Sequence, residues 1–476
     1  MTQRLDKLYE EIASMSNFDM NKLDAIGGFI DNSDDHKSLN HINLAKDYLE
    51  TNLDCFEEQI EKCVCHYFLG VIYSCIRHYE RENTEKSWEW DNENIDKEII
   101  NLRLAERLFI KDKLPIERYC QILTNLANIF DFVGRYIESM KYWNKVIEIE
   151  PRFGMAMANK GNSLVYHGLN TMMFEQSQRL YIQIGYKYLK KSKDLIVEPH
   201  ALPDYLAKID RLETTYSDII NNAIEIEEPA EFENEYHQKL IFWCINNRLL
   251  LNPYLDISNY DFARDDNISI PIDFNEAFPL FEQIKIEFRY ARELFYKSKF
   301  LQCITDVEKN ENLKLAFRIA YSIFDKVAYL INNIFDLQVA NHRVSFRKLW
   351  YIKEHKEKGI KESLANNNNF ILRGLFWISK ELYLEDDKLL GAIEPDAKEL
   401  DKIRNYIEHK SFLIDAPKTD SDFSYEISRD DFEAKTLRLL LLVRESIMYI
   451  PYSINRELKL ERNTFANRIA RPASNH

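Results

Sequence analysis

Near the C-terminal end of the 476-residue chain, the run Arg404-Asn405-Tyr406-Ile407-Glu408-His409 gathers three side chains suited to chemistry on an anion. An unperturbed imidazole titrates near pH ~6.5, so His409 can take or give a proton close to neutrality. The planar fork of Arg404 can hold two oxygens of a phosphoryl group and stabilise charge that gathers on them. Asn405 can hydrogen-bond the same group or fix the tautomer of the imidazole. Apolar periodicity predicts a helix over 395–410 that carries all three. On that helix Asn405 and His409 share a face, whereas Arg404 and His409 lie roughly 140° apart around the axis. One helix is therefore a poor complete site, and two copies facing each other across a two-fold axis make a better one. The same residues admit a structural reading. Arg404 and Glu408 have the i, i+4 spacing of a surface ion pair, and His409 suits the negative end of a helix.

Three further groups stand out. Asp325 lies inside the apolar stretch AYSIFDKVAYLIN, where a carboxylate needs a partner; Arg404 would serve function, while Lys326 or Arg318 would make it structural. Between 343 and 361, Arg343, Arg347, Lys348, Lys353, Lys356, Lys358 and Lys361 outnumber Glu354 and Glu357. Phe346, Trp350 and Tyr351 interleave with them, the composition of an RNA-gripping surface or of a solvated helix face. Cys63, Cys65, His66, Cys75 and His78 have poor ligand spacing for zinc and read as buried thiols on a helix. No metal and no cofactor is expected.

The elements that must position these residues are helical. Long 3.6-residue periodicity dominates and convincing alternating strands are lacking, so the expected fold is all-α. With 11 glycines, and neither a G-x-x-x-x-G-K-[ST] nor a G-x-G-x-x-G motif, phosphate-cradling loops of the P-loop and Rossmann kinds are excluded. A net charge of −15 argues against coating nucleic acid nonspecifically, though not against a local basic site. The charged N-terminus lacks an apolar signal core, and no 18-residue apolar stretch occurs. A cytoplasmic location with reduced thiols, and no membrane partner, is expected.

Residues 120–153 read as a helical hairpin. Leu126, Ala127 and Phe130 line its first helix, Gly134 and Tyr136 mark the turn, and Ser139, Trp143 and Val146 line the second before Pro151. This spacing resembles the 34-residue tetratricopeptide (TPR) repeat. Gly161 and Gly168 repeat it downstream, with Asn170 weakening the second helix. Leu69, Gly70 and Tyr73 repeat it upstream, across a polar insertion from Tyr79 to Asp96. A TPR-like array over 1–235, with a protein or peptide partner, would end at the acidic junction EIEEPAEFENE (225–235). A second unit, 236–476, would be a bundle with helices near 280–299, 312–337, 371–384, 395–410 and 430–449.

The Arg-Asn-x3-His run in a helical C-terminal unit resembles the signature of the HEPN superfamily (higher eukaryotes and prokaryotes nucleotide-binding). Trp243-Cys244-Ile245-Asn246 and Leu251-Asn252-Pro253 extend the likeness over roughly 236–460. The resemblance implies a metal-independent endoribonuclease that cuts tRNA or mRNA through the ribose 2′-OH. It further implies a homodimer formed through the bundle, acting in bacterial stress or anti-phage defence. Arg404, Asn405 and His409 would be catalytic, with Asp325 supplying the acidic residue that some members take from an earlier helix. Arg343, Arg347, Lys348 and Lys353 would bind RNA. Where members silenced by a neighbouring nucleotidyltransferase carry tyrosine two residues after the histidine, this chain has Ser411. The rival reading is a non-enzymatic adaptor whose bundle dimerises or binds a nucleotide.

Overall fold

A computed structural model describes residues 2–83, 89–172, 174–195, 198–222, 224, 231–257, 263–274, 276–383, 397–416 and 423–470. Among these described residues eleven α-helices precede the acidic junction: α1 (Thr2–Ser14), α2 (Met20–Asp35), α3 (Leu39–Asn52), α4 (Gln59–Asn83), α5 (Glu93–Leu108), α6 (Ile116–Phe132), α7 (Tyr136–Ile149), α8 (Gly154–Asn170), α9 (Glu175–Ser192), α10 (Leu202–Thr215) and α11 (Ser217–Asn221). Eight follow it: α12 (Glu235–Asn246), α13 (Pro253–Asp256), α14 (Ala277–Phe300), α15 (Asp306–Ile334), α16 (Glu362–Ala365), α17 (Phe370–Leu382), α18 (Ala397–His409) and α19 (Arg429–Ala470). The all-α expectation holds, with one departure. Directly after the motif helix, β1 (Ser411–Ile414) and β2 (Ser424–Ile427) pair in parallel, Ser411 opposite Ser424. Four-residue strands are too short to declare themselves by alternation.

In the N-terminal half, neighbouring helices pack as hairpins: α4 on α5, α6 on α7, α8 on α9. Leu126, Ala127 and Phe130 of α6 and Trp143 and Val146 of α7 are buried together. The hairpin of α8 and α9 forms fully despite Asn170, because Gly161 and Gly185 bring the two backbones into contact. A Cβ at Gly161 would stand 2.7 Å from the Gly185 carbonyl oxygen. The segment from Tyr79 to Asp96 is more than a polar insertion. Trp90 is buried, with its ring centre 6.3 Å from Trp350 and 5.9 Å from Phe376.

In the C-terminal half, α14, α15, α17 and α19 pack around one another, and α18 lies against α15 and α17. Thr305 and Glu308 close a reciprocal capping box on α15. Pro279 falls in the first turn of α14, where its missing N–H costs no helical bond. Asn252 caps α13, and the Arg444 guanidinium of α19 donates to the Leu250 carbonyl and pairs with Asp256 at 2.8 Å.

The two halves share one continuous core, running from Leu5 to Ile454. At the seam, Gly134 adopts φ +90°, and a Cβ there would strike the Phe370 carbonyl. The next residue, Arg135, is fully buried and pairs with Glu381 of α17 and, at 2.8 Å, with Glu445 of α19. Among the described residues no helix is long and apolar enough to cross a membrane.

Candidate functional site

Helix α18 is anchored by its apolar stripe, with Leu400 and Ile403 fully buried. Two contacts fix its outer side. The Tyr425 hydroxyl of β2 donates to Glu399, and Lys435 of α19 pairs with the same carboxylate at 2.8 Å. Helix α18 ends at His409, as the spacing predicts. The small sheet that follows stacks Phe412 on Tyr425, ring centres 5.8 Å apart.

The structural alternative for Arg404 is not what the fold builds. Glu408 turns instead to Arg318 of α15, which donates to it at 2.9 and 3.1 Å. That bond holds the Glu408 carboxyl below the usual glutamate range. The Arg404 Nη1 donates to Asn405 Oδ1 at 3.0 Å, and Asn405 Nδ2 donates to Asp401 Oδ2 at 3.3 Å. Asp401 Oδ1 accepts from the Tyr321 hydroxyl at 2.9 Å, and that hydroxyl lies 3.5 Å from the hydroxyl of Tyr383. The Arg404 guanidinium sits 5.9 Å from the centre of the Tyr321 ring, within cation–π range. Among the described residues no carboxylate stands within 4 Å of the Arg404 guanidinium. A network of two tyrosines, an aspartate and an asparagine therefore orients an arginine whose charge no close ion pair neutralises.

Asp325 lies close enough to Arg404 to feel its charge. Lys326 pairs with Glu287 and Arg318 with Glu408, so neither structural partner is available to it. Asp325 is exposed, yet the surrounding protein removes enough hydration to raise its carboxyl pKa, with Arg404 pulling the other way. A carboxyl whose folded pKa lies above its unfolded value withdraws stability as pH rises through that range. Asp325→Asn should therefore raise stability modestly at pH 7, with the gain shrinking as pH falls toward 4. Urea titrations at both pH values check this; a loss of stability at pH 7 would show that the carboxylate is structural.

His409 is exposed, and its ring makes no hydrogen bond to any described residue. Asn405 is turned toward Arg404 and Asp401, so it does not set the imidazole tautomer in this chain. Arg404 and His409 thus sit on one helix without meeting.

The basic segment differs from the expected surface. Phe346, Trp350 and Tyr351 are buried, Phe346 stacking on Phe324 with ring centres 5.2 Å apart, so none lies open for a base. The chain here is a series of short turns, not a helix face. Arg343, Lys348 and Lys353 are exposed and Arg347 is half-buried, 5.9 Å from the centre of the Tyr383 ring. Arg343 lies 3.8 Å from Glu354. Tyr383 is half-buried, and loss of hydration first of all pushes its hydroxyl pKa up to about 12. It also feels the charges of Asp325, Asp401 and Arg404, so it links the basic segment to the motif.

Sequence reasoning missed Tyr321, Tyr383 and Asp401. Asp401 had a signal, standing four residues before Asn405 on the same helix. Of the cysteines on α4, Cys63 and Cys65 are buried and Cys75 is half-buried. Cys63 donates to the Ala105 carbonyl, and burial raises the pKa values of Cys63 and Cys65 to about 12.

A family described as LA2681-like HEPN matches residues 272–457, the span that contains the network, Asp325 and the motif. The match supports a HEPN domain in the C-terminal part of the chain. No curated protein and no solved structure matches the chain.

Proposed function

We propose that the C-terminal part is an endoribonuclease that cuts RNA, tRNA or mRNA among its targets, without a divalent metal. The likeness of residues 272–457 to a HEPN family supports this reading, since HEPN domains are often ribonucleases. The observation that carries it is the orienting network around Arg404, which holds a guanidinium ready for an anion instead of pairing it with Glu408. In the reaction, a base takes the ribose 2′-OH proton and the oxygen attacks the adjacent phosphorus. The 5′-oxygen leaves with a proton from an acid, giving a 2′,3′-cyclic phosphate and a 5′-hydroxyl. His409 supplies the base or the acid, and Arg404 holds the phosphoryl oxygens. Asn405 orients Arg404, and Asp325, whose carboxyl feels the Arg404 charge, is the acidic member of the site. Arg343, Arg347, Lys348 and Lys353 line the approach of the strand. Because Arg404 and His409 do not meet on one helix, the complete site is shared by two chains in a homodimer. The N-terminal helices are a TPR-like regulatory array that takes a protein or peptide partner, in bacterial stress or anti-phage defence.

The test is purified protein with total RNA in EDTA, beside His409→Ala. Cleavage by the wild type and none by the variant is expected. Cleavage that EDTA abolishes and added metal restores would overturn the mechanism. The exposed and unbonded His409 favours one second reading, a non-catalytic adaptor, and equal behaviour of wild type and variant would support it.

A further inference from the structure

Tyr383 faces two environments. Its hydroxyl lies beside Tyr321 in the network that orients Arg404, and the same residue walls a cleft of about 160 Å³. The other walls include Arg347, Lys348, Tyr351, His355 and Lys356. A cavity near ~150 Å³ admits one six-membered ring, so this space suits a single small unit and not an extended ligand. Its lining sets Arg347, Lys348, Lys356 and Lys380 against Glu354 and Glu357. Glu354 is approached by Arg343 at 3.8 Å, and Lys380, on the cleft wall, pairs with Asp91 and, at 2.7 Å, with Asp96. Lys348 and Lys356 are exposed and make no ion pair with any described residue. The rim is fixed. Tyr351 bridges to Ile360, Ile352 N–H donates to the Gly359 carbonyl at 3.0 Å, and Lys361 N–H to the Trp350 carbonyl at 3.0 Å. Within that closed turn Lys353 and Glu354 both hold left-handed backbone, at φ 50° and 58°.

A ring-sized cleft with the half-buried Tyr383 on one wall and two lysines that make no ion pair with any described residue matches the needs of a nucleotide, whose base stacks on an aromatic side chain while its phosphate meets cations. We propose that this cleft seats one nucleotide of a single RNA strand, adjacent to the nucleotide whose phosphate meets Arg404. The inference rests on the RNA reading of the Arg404 site and names where the strand continues. Tyr383 is the shared wall that sets the register between the two positions.

The test is binding of a fluorescently labelled single-stranded RNA octamer, in EDTA, over a range of salt, using His409→Ala as the uncleaving parent. Lys348→Ala and Lys356→Ala are added to it together; both side chains are exposed, so the fold should be unchanged. Each phosphate neutralised on a single strand contributes about 0.7 to the slope of log affinity against log salt, so removing both lysines from the seated nucleotide's phosphate should flatten the slope by about 0.7. A parallel titration with free AMP as competitor separates the sources of nucleotide. The flattened slope with no displacement by millimolar AMP is the expected result. An unchanged slope overturns the cleft, as does a parent that does not bind the octamer. Displacement of the octamer by AMP overturns the strand assignment in favour of a free nucleotide. Cleavage is scored separately with chains carrying His409. A flattened slope without cleavage leaves the cleft standing and sinks the nuclease, and cleavage with an unchanged slope does the reverse.

Discussion

Arg404→Ala should lower RNA cleavage by about 10²–10³, the usual cost of losing one donor that stabilises charge in the transition state. Stability should fall by only about 1 kcal/mol. The residue makes one hydrogen bond, to its neighbour Asn405, and one cation–π contact with Tyr321. Single-turnover rates and urea unfolding, measured on the same preparation, separate the two effects. A structural arginine would show the opposite balance, a large loss of stability and a proportionate loss of rate. The shared site adds a second expectation. Mixing Arg404→Ala with His409→Ala chains should restore part of the activity, because a mixed dimer holds one site with both residues. If mixing restores nothing, or if a strict monomer cleaves at full rate, the two residues do not come from different chains.

Arg135→Met should cost about 3–5 kcal/mol, the penalty typical of leaving a buried charge without its partner. Arg135 is fully buried, and its partners Glu381 and Glu445 are only 1% and 3% exposed. Burial alone would lower the guanidinium pKa, but the two carboxylates overcome it and hold Arg135 well above the ordinary arginine value. Methionine fills a similar volume while leaving Glu445 without its cation, whereas Glu381 keeps Arg103 at 3.8 Å. Combining Arg135→Met with Glu445→Gln should recover part of the loss, since part of the cost lies in the orphaned Glu445 charge. Chemical denaturation of the single and double variants checks both statements. A single variant within about 1 kcal/mol of wild type would show that water reaches the seam.

The sequence carried the bundle well. Apolar periodicity placed α14, α17 and α18 within about three residues of their observed ends, since each buries a continuous stripe, but it began α15 six residues late and stopped α19 at 449 where the helix runs on to Ala470. It also placed Arg404, Asn405 and His409 on one helix, and it offered Arg404, beside Lys326 and Arg318, as a partner for Asp325. It could not show that Glu408 would turn to Arg318, because that choice depends on how α15 and α18 pack. The relay of Tyr321, Tyr383 and Asp401 joins three elements scattered along the chain, and none of the three is unusual in its own segment. The burial of Phe346, Trp350 and Tyr351 escaped for a related reason. A mixed basic and aromatic run reads the same whether the aromatics face solvent or, as here, meet Phe324 and Trp90 from distant parts of the chain. The close approach of Gly134 to Gly374 was equally hidden. One glycine marks a turn in any helical hairpin, but its contact with a second one 240 residues away is a tertiary fact.

The central claim is cleavage through the substrate's own 2′-OH, carried by Arg404 and His409. The most direct measurement is single-turnover cleavage, in EDTA, of an RNA carrying one 2′-deoxy nucleotide at the mapped cut site. The internal nucleophile is then missing while every phosphate contact remains. The account predicts that cleavage at that position falls to the level of His409→Ala. Cutting of the deoxy position at the rate of the all-ribose strand would contradict it.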